Sequence, residues 1–239
     1  MRKGRLLAST IVFAAACASA GKEQGGDDQP GIDAKGSDAT DAQVSDGPDI
    51  DAAPVAVTLS QTTGNTVAAA SSVACGANGT TSENSWYRAF KLADHNIAGA
   101  FNVTAVSFGI QEATGLPNVQ VKVGTYSGAV TPAPAQLDTT LVTPLNAVTY
   151  AIPNTASTAT TTVTVPITAT VPAGGTLLVE VFSPDLSGTG KYFYLGGNTT
   201  GETKPAYLRA PACSTTQPRT TVALGFPTAN LVLSVNGTK

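Results

Sequence analysis

The residues best suited to hold a ligand lie between positions 185 and 202. Asp185, Asn198 and Glu202 offer carboxylate or amide groups in polar, Gly-containing stretches, and Tyr192 and Tyr194 offer aromatic rings. This combination suits sugars, because rings pack against the apolar face of a sugar while oxygens accept hydrogen bonds from its hydroxyls. Loops on a rigid scaffold often carry binding residues. We therefore predict a non-catalytic ligand site here, with calcium as an alternative ligand of Asp185 and Glu202.

The aromatic side chains include one further candidate for ligand binding, Trp86, and each of them also has a structural interpretation. Trp86, the single tryptophan, lies in the aromatic segment 84–92, where it is either a platform for sugar stacking or a core residue. Tyr192 and Tyr194 alternate with apolar residues, so one of the two sets must face outward or into a cleft. The tyrosines are the better candidates, because a hydroxyl tolerates water. The alternative interpretation is that they cover a sheet edge.

Catalysis is not expected from this composition. His95 is the only histidine, so a Ser–His–Asp site would have to use it, and no Gly-x-Ser-x-Gly motif supplies a nucleophile. No cluster of His and Cys favours zinc. A hydrolase with paired carboxylates would need two of the scattered acidic residues in one cleft. These are Glu83, Asp94, Glu112, Asp138, Glu180, Asp185 and Glu202. We predict neither an enzyme nor a cofactor.

The N-terminus has the pattern of an export signal. Basic residues precede the apolar stretch 6–16, which ends at Cys17 and is too short to span a membrane. Residues 13–17 (FAAAC) resemble the lipobox of bacterial lipoproteins, whose cysteine is acylated and becomes the mature N-terminus. The resemblance implies a signal peptide over 1–16, a lipid on Cys17 and an outer-membrane anchor, on the surface or the periplasmic side. The alternative is secretion after cleavage before Gly21.

Residues 17–54 are predicted to be a disordered tether. Between positions 21 and 54, nine acidic residues face two lysines, and no residue is aromatic. Such a segment buries too little apolar surface to offset its ordering entropy. Residues 55–239 carry eight basic and seven acidic residues, so they lack the basic footprint of a nucleic-acid-binding domain.

The remaining cysteines are Cys75 and Cys213. If Cys17 carries lipid, these two allow a single pairing in an oxidising compartment. The alternative is two unpaired buried thiols.

After residue 54 the apolar residues recur with a period of two, which is typical of half-buried strands. Strands are predicted at 56–60, 84–92, 101–110, 119–123, 140–151, 163–169, 177–181, 191–196, 219–225 and 231–235. The apolar face switches near Ala105, which predicts a bulge, and Pro166 predicts an edge strand or a bulge. We expect the first and last strands to pair. The fold is predicted to be all-β, an antiparallel two-sheet sandwich, with a jelly roll preferred and an immunoglobulin-like sandwich second.

Residues 70–238 resemble a β-sandwich module of secreted and surface proteins of bacteria. The resemblance rests on strand and turn segments such as 84–92, 102–110 and 175–182, with a cysteine near each end. It implies fold and location rather than activity. We predict that residues 55–239 bind carbohydrate or another surface protein, the alternatives being a purely structural envelope component and, third, a hydrolase or its accessory domain. The oligomeric state is left open.

Overall fold

The computed structural model describes residues 53–77 and 80–239. The predicted signal peptide (1–16), Cys17 and the predicted tether up to residue 52 lie outside the described residues and stay predictions. In the part of the chain that is described, no helix is long and apolar enough to cross a membrane.

Antiparallel strands contain about half of the described residues, and three short 3-10 helices lie in the connections between them. The strands are β1 (Ala56–Ser60), β2 (Gly76–Ala77), β3 (Thr80–Thr81), β4 (Asn84–Lys91), β5 (Phe101–Thr114), β6 (Asn118–Tyr126), β7 (Val142–Ala151), β8 (Thr161–Val171), β9 (Thr176–Ser183), β10 (Tyr192–Leu195), β11 (Gly197–Asn198), β12 (Tyr207–Ala210), β13 (Thr215–Thr220), β14 (Asn230–Leu231) and β15 (Leu233–Thr238). The 3-10 helices are Leu92–His95, Thr139–Leu141 and Pro211–Cys213.

Two sheets pack face to face and share one core. In the first sheet β1, β15, β5 and β8 are neighbours in that order, and β10 pairs with the C-terminal part of β5. The second sheet has the order β13-β12-β4-β9-β6-β7. Along the chain β1, β5, β8 and β15 alternate with β4, β6–β7 and β9 of the other sheet, and this interleaving is that of a jelly roll. The predicted sandwich is confirmed in its preferred form.

Side-chain alternation decides what enters the core. In β6, Val119, Val121 and Val123 are buried between the sheets, whereas Gln120 and Lys122 lie on the outer face, the face turned away from the other sheet. Each fully buried valine contributes roughly 1.5–3 kcal/mol. The same alternation in the neighbouring strands turns one apolar face of each sheet towards the shared core.

Two irregularities in strand pairing that the sequence predicts are present in the first sheet. The pairing of β5 with β8 shifts between Val103 and Ala105, which is the bulge that the switch of apolar face indicated. Pro166 lies opposite Ala105, in a strand that pairs with β5 at the edge of the first sheet. A proline without an N–H is tolerated at such a place.

One predicted strand is misplaced. Of residues 219–225 only Arg219 and Thr220 belong to a strand, because β13 ends at Thr220 and a tight turn follows. The carbonyls of Thr220 and Thr221 accept hydrogen bonds from the N–H groups of Leu224 and Phe226, so this backbone pairs locally instead of with a neighbouring strand. The predicted strands also leave out β2, β3, β11, β12 and the first part of β13.

Two predicted contacts between distant parts of the chain are confirmed, the pairing of the first and last strands and the disulfide. β1 pairs with β15, and the backbone of Val55 exchanges two hydrogen bonds with that of Lys239, each 3.0 Å long. Cys75 and Cys213 form a disulfide, with Cα atoms 5.8 Å apart. The bridge fastens the segment just before β2 to the 3-10 helix that precedes β13.

Candidate ligand-binding groove

A groove of about 460 Å³ crosses the outer face of the second sheet. Its floor is formed by side chains of four adjacent strands: Tyr87 of β4, Glu180 of β9, Lys122 of β6 and Ala147 of β7. Neighbouring strands lie about 4.8 Å apart, so a floor across four strands is about 15 Å long.

The alternation that fills the core also builds this floor. Tyr87 lies between the core residues Trp86 and Arg88, and Lys122 and Glu180 lie between buried valines of their own strands. At Gly124 the pairing of β6 with β7 is irregular, and a Cβ atom there would lie 2.7 Å from the Thr143 carbonyl oxygen. Glycine therefore allows the two strands to approach closely beside the groove.

The long β6–β7 connection, residues 127–141, covers the adjoining part of the outer face. Its Leu137 N–H donates to the Pro218 carbonyl (2.9 Å), and its Ala135 carbonyl accepts from the Thr220 N–H (3.0 Å). Apolar side chains of the connection pack on the sheet in a second cluster, separate from the main core. That cluster consists of Tyr87, Ala89, Tyr126, Val130, Leu137, Leu178 and Tyr207. The connection thereby leaves a bounded groove where the sheet would otherwise present an open face.

The centre of the groove is polar and electrically balanced. Lys122 Nζ lies 3.3 Å from Glu180 Oε1 and 4.2 Å from the centroid of the Phe182 ring. Burial and the neighbouring Glu180 carboxylate raise the pKa of Tyr87, so its phenol is neutral at physiological pH. Ammonium, carboxylate and phenol offer both donors and acceptors without net charge.

The rim of the groove is apolar and accessible. Leu145 of β7 is 39% exposed, and the neighbouring Pro144 and Asn146 are exposed as well. The Asn146 side-chain amide donates to the Thr168 carbonyl (2.8 Å), which fixes the rim to β8. An accessible apolar edge beside a neutral polar floor suits an uncharged ligand with both apolar faces and hydroxyl groups.

The structure places Tyr192 and Tyr194 together on a different surface. They lie half-buried on the outer face of the first sheet, alternating with the fully buried Phe193 and Leu195. Their ring centroids are 5.7 Å apart, and Tyr192 Oη donates to Glu112 Oε1 (2.7 Å). Whether they bind a ligand stays a prediction.

The other members of the predicted site have structural partners elsewhere. Asn198 is 1% exposed and donates through Nδ2 to the Gly64 carbonyl (2.6 Å), whereas Glu202 pairs with Arg88 (2.9 Å). Asp185 is exposed and accepts bonds from the N–H and hydroxyl of Ser187, which lower the pKa of its carboxyl group. The five predicted residues therefore have partners in different parts of the domain.

Trp86 requires a correction, because the structure excludes the platform interpretation. Its side chain is fully buried, packs edge-on against Phe193 at 5.5 Å, and donates through Nε1 to the Val73 carbonyl (2.8 Å). Alternation in β4 turns Trp86 inward together with Arg88 and Phe90, so the aromatic ring that β4 places on the outer face is that of Tyr87.

His95 lies at the end of the first 3-10 helix, beside a second small cleft. The cleft is bounded by polar side chains that include the ion pair of Asp94 and Lys204 (3.1 Å). Burial lowers the pKa of His95, which favours the neutral imidazole at physiological pH. Among residues 53–77 and 80–239, no group of three or more His, Cys, Asp and Glu could hold a metal ion.

The groove was not predicted from the sequence. The sequence does contain one signal for it, because Tyr87, Lys122 and Glu180 each alternate with core residues and so face outward from their strands. The order in which β4, β9 and β6 stand side by side is what turns these three positions into one site.

No protein-family model matches the chain, and no curated protein matches it. One similar solved structure contains the cysteine protease and lectin-like domains of Cwp84, a surface-layer associated protein of Clostridium difficile, with 13% identity over 66% of this chain and a TM-score of 0.46. Another is the clostridial cysteine protease Cwp84 after propeptide cleavage, with 12% identity over 77% of this chain and a TM-score of 0.49. The chain covers 32% and 40% of those two chains, and likenesses at this level support no conclusion about function.

Proposed function

We propose that residues 55–239 are a non-catalytic binding module for carbohydrate and that the groove across the second sheet holds the ligand. The observation that carries the proposal is the combination of the exposed Leu145 rim with the balanced Lys122–Glu180 pair in one groove. A sugar presents apolar C–H faces and hydroxyls together, and a site for it needs both kinds of contact.

The dimensions of the groove favour a glycan over a folded protein. A stable protein partner buries about 800 Å² on each side, whereas the groove is a single channel about 15 Å long. The connection 127–141 already covers the neighbouring part of the same face. An extended oligosaccharide fits a channel that crosses several strands.

Export and anchoring belong to the same proposal. An acyl chain on Cys17 holds the protein at a membrane, and the acidic segment up to residue 54 separates the module from that surface. A single acyl chain gives only marginal membrane binding, so firm anchoring requires more than one chain. The module then contacts glycans of the envelope or its surroundings.

The test is a binding screen with the mature protein, purified after export, against a glycan array and insoluble cell-wall material. We expect at least one neutral polysaccharide to retain the protein, and L145D to reduce retention tenfold or more. The matched control is L116D, because Leu116 is also an exposed leucine (55%) but lies outside the groove. Equal retention of L145D and the wild type would overturn the assignment of the groove, and no retention by any glycan would favour the structural alternative.

A further inference from the structure

The outer face of the first sheet carries an aromatic pair in otherwise small polar surroundings. Elsewhere on this face, cross-strand pairs of small residues hydrogen-bond to each other, as in Ser107–Thr164 (2.8 Å) and Thr170–Asn102 (2.9 Å). Tyr192 and Tyr194 depart from this pattern at the end of the sheet. The core does not require them, because Phe193 and Leu195 supply the buried side of β10.

A carboxylate holds the Tyr192 ring in place and lies next to Tyr194. Tyr192 Oη donates to Glu112 Oε1, and Glu112 stands directly opposite Tyr194 in the pairing of β10 with β5. A carboxylate accepts several hydrogen bonds, so Glu112 can accept from a ligand hydroxyl in addition to Tyr192. Burial raises the pKa of Tyr194, which keeps its hydroxyl protonated and able to donate.

We propose that Tyr192, Tyr194 and Glu112 form a second carbohydrate-binding surface, so that one module bridges two glycan chains. A sugar ring packs against the tyrosine rings while its hydroxyls donate to Glu112. This inference rests on the proposed function of the groove, because bridging requires both surfaces to bind.

The positions of the two surfaces allow one module to bind two glycan chains. The groove is on the outer face of the second sheet and the tyrosine pair is on the outer face of the first, so the whole sandwich separates them. The sheets alone are about 10 Å apart, and their outer faces point in opposite directions. A short oligosaccharide bound at one surface therefore leaves the other surface free for a second chain.

The experiment measures binding stoichiometry per chain by calorimetry, with the neutral hexasaccharides cellohexaose, chitohexaose and xylohexaose as probes. We expect two sites per chain for at least one probe, falling to one in Y192S/Y194S and to one in L145D. A T58A/T164A variant, altered on the same face away from the tyrosines, should keep two. Beads coated with the matching polysaccharide should be aggregated by the wild type and not by Y192S/Y194S.

The outcomes separate the two proposals. One site per chain that L145D abolishes would overturn bridging and leave the groove assignment standing. One site that only Y192S/Y194S abolishes would overturn both bridging and the groove assignment. Binding of none of the three probes, or an unchanged stoichiometry in Y192S/Y194S, would overturn the second surface.

Discussion

Replacing Glu202 by alanine should destabilise the domain far more than breaking an exposed ion pair. The Arg88 side chain is fully buried between the sheets, and its Nη2 atom lies 2.9 Å from Glu202 Oε2. The guanidinium also donates to the carbonyls of Leu231 (2.7 and 3.1 Å) and Lys204 (3.0 Å). Burial lowers the pKa of Arg88, and the Glu202 carboxylate opposes that shift. E202A therefore leaves a cation in the core without its carboxylate partner.

The size of the effect follows from burial. Removing one partner of a buried ion pair costs about 3–5 kcal/mol. We expect the lower end, about 3 kcal/mol, because Arg88 retains its bonds to backbone carbonyls and Glu202 keeps 13% of its side chain exposed. For a domain of this size that is a decrease in Tm of about 9 °C.

Urea unfolding followed by tryptophan fluorescence measures this directly, since Trp86 is the only tryptophan and is fully buried in the folded state. The matched control is E83A, which breaks the ion pair between Glu83 and Arg209 (2.6 Å). In this pair the side chain of Arg209 is 30% exposed and that of Glu83 is 36% exposed. Exposed pairs contribute about 1 kcal/mol or less. If E202A costs no more than E83A, the reasoning about Arg88 is wrong.

Three further predictions concern the disulfide, the alkaline limit of stability and the membrane anchor. Removing the bridge by C75A/C213A should lower the free energy of unfolding by a few kcal/mol. The chain-entropy model gives an upper value of about 5 kcal/mol for two cysteines 138 residues apart in the sequence. Unchanged urea midpoints would contradict this prediction. Burial, with Tyr126 and Glu202 nearby, raises the pKa of Tyr207 to about 12. Because this folded-state pKa lies above the unfolded value of about 10, the stability linked to Tyr207 is intact below pH 10 and is lost as the pH rises towards 12. Titration of Y207F beside the wild type by tyrosinate absorbance checks this, and identical curves would refute it. C17S should release the protein from the membrane fraction, and a mature N-terminus at Gly21 in the wild type would contradict acylation.

Much of the fold was predictable because alternation carries local information. The period of two in Val119, Val121 and Val123 identified a strand and its buried face before any partner strand was known. The switch near Ala105 and the position of Pro166 likewise report local backbone constraints. Residues 219–225 also contain β-branched residues, yet the carbonyls of Thr220 and Thr221 accept hydrogen bonds within a turn. Alternation does not determine whether the backbone pairs with a neighbouring strand or with itself.

The site was less predictable because it depends on which strands are neighbours. Tyr87, Lys122 and Glu180 come from three strands that are distant in the sequence and adjacent in the second sheet. Closeness in sequence instead grouped Asn198 and Glu202 with Tyr192 and Tyr194, although Glu202 serves the buried Arg88. Polar residues in a Gly-rich loop can hold the loop itself in place, and only the fold distinguishes that role from ligand binding.

The proposal of a glycan-binding groove is tested most directly by titrating the isotope-labelled protein with the hexasaccharide that binds best and following its backbone amide NMR signals. The proposal predicts saturable shifts centred on Lys122, Gly124, Ala147 and Glu180, with the L145D variant showing none at these positions. Saturable shifts that leave all four of these amides unmoved would contradict it.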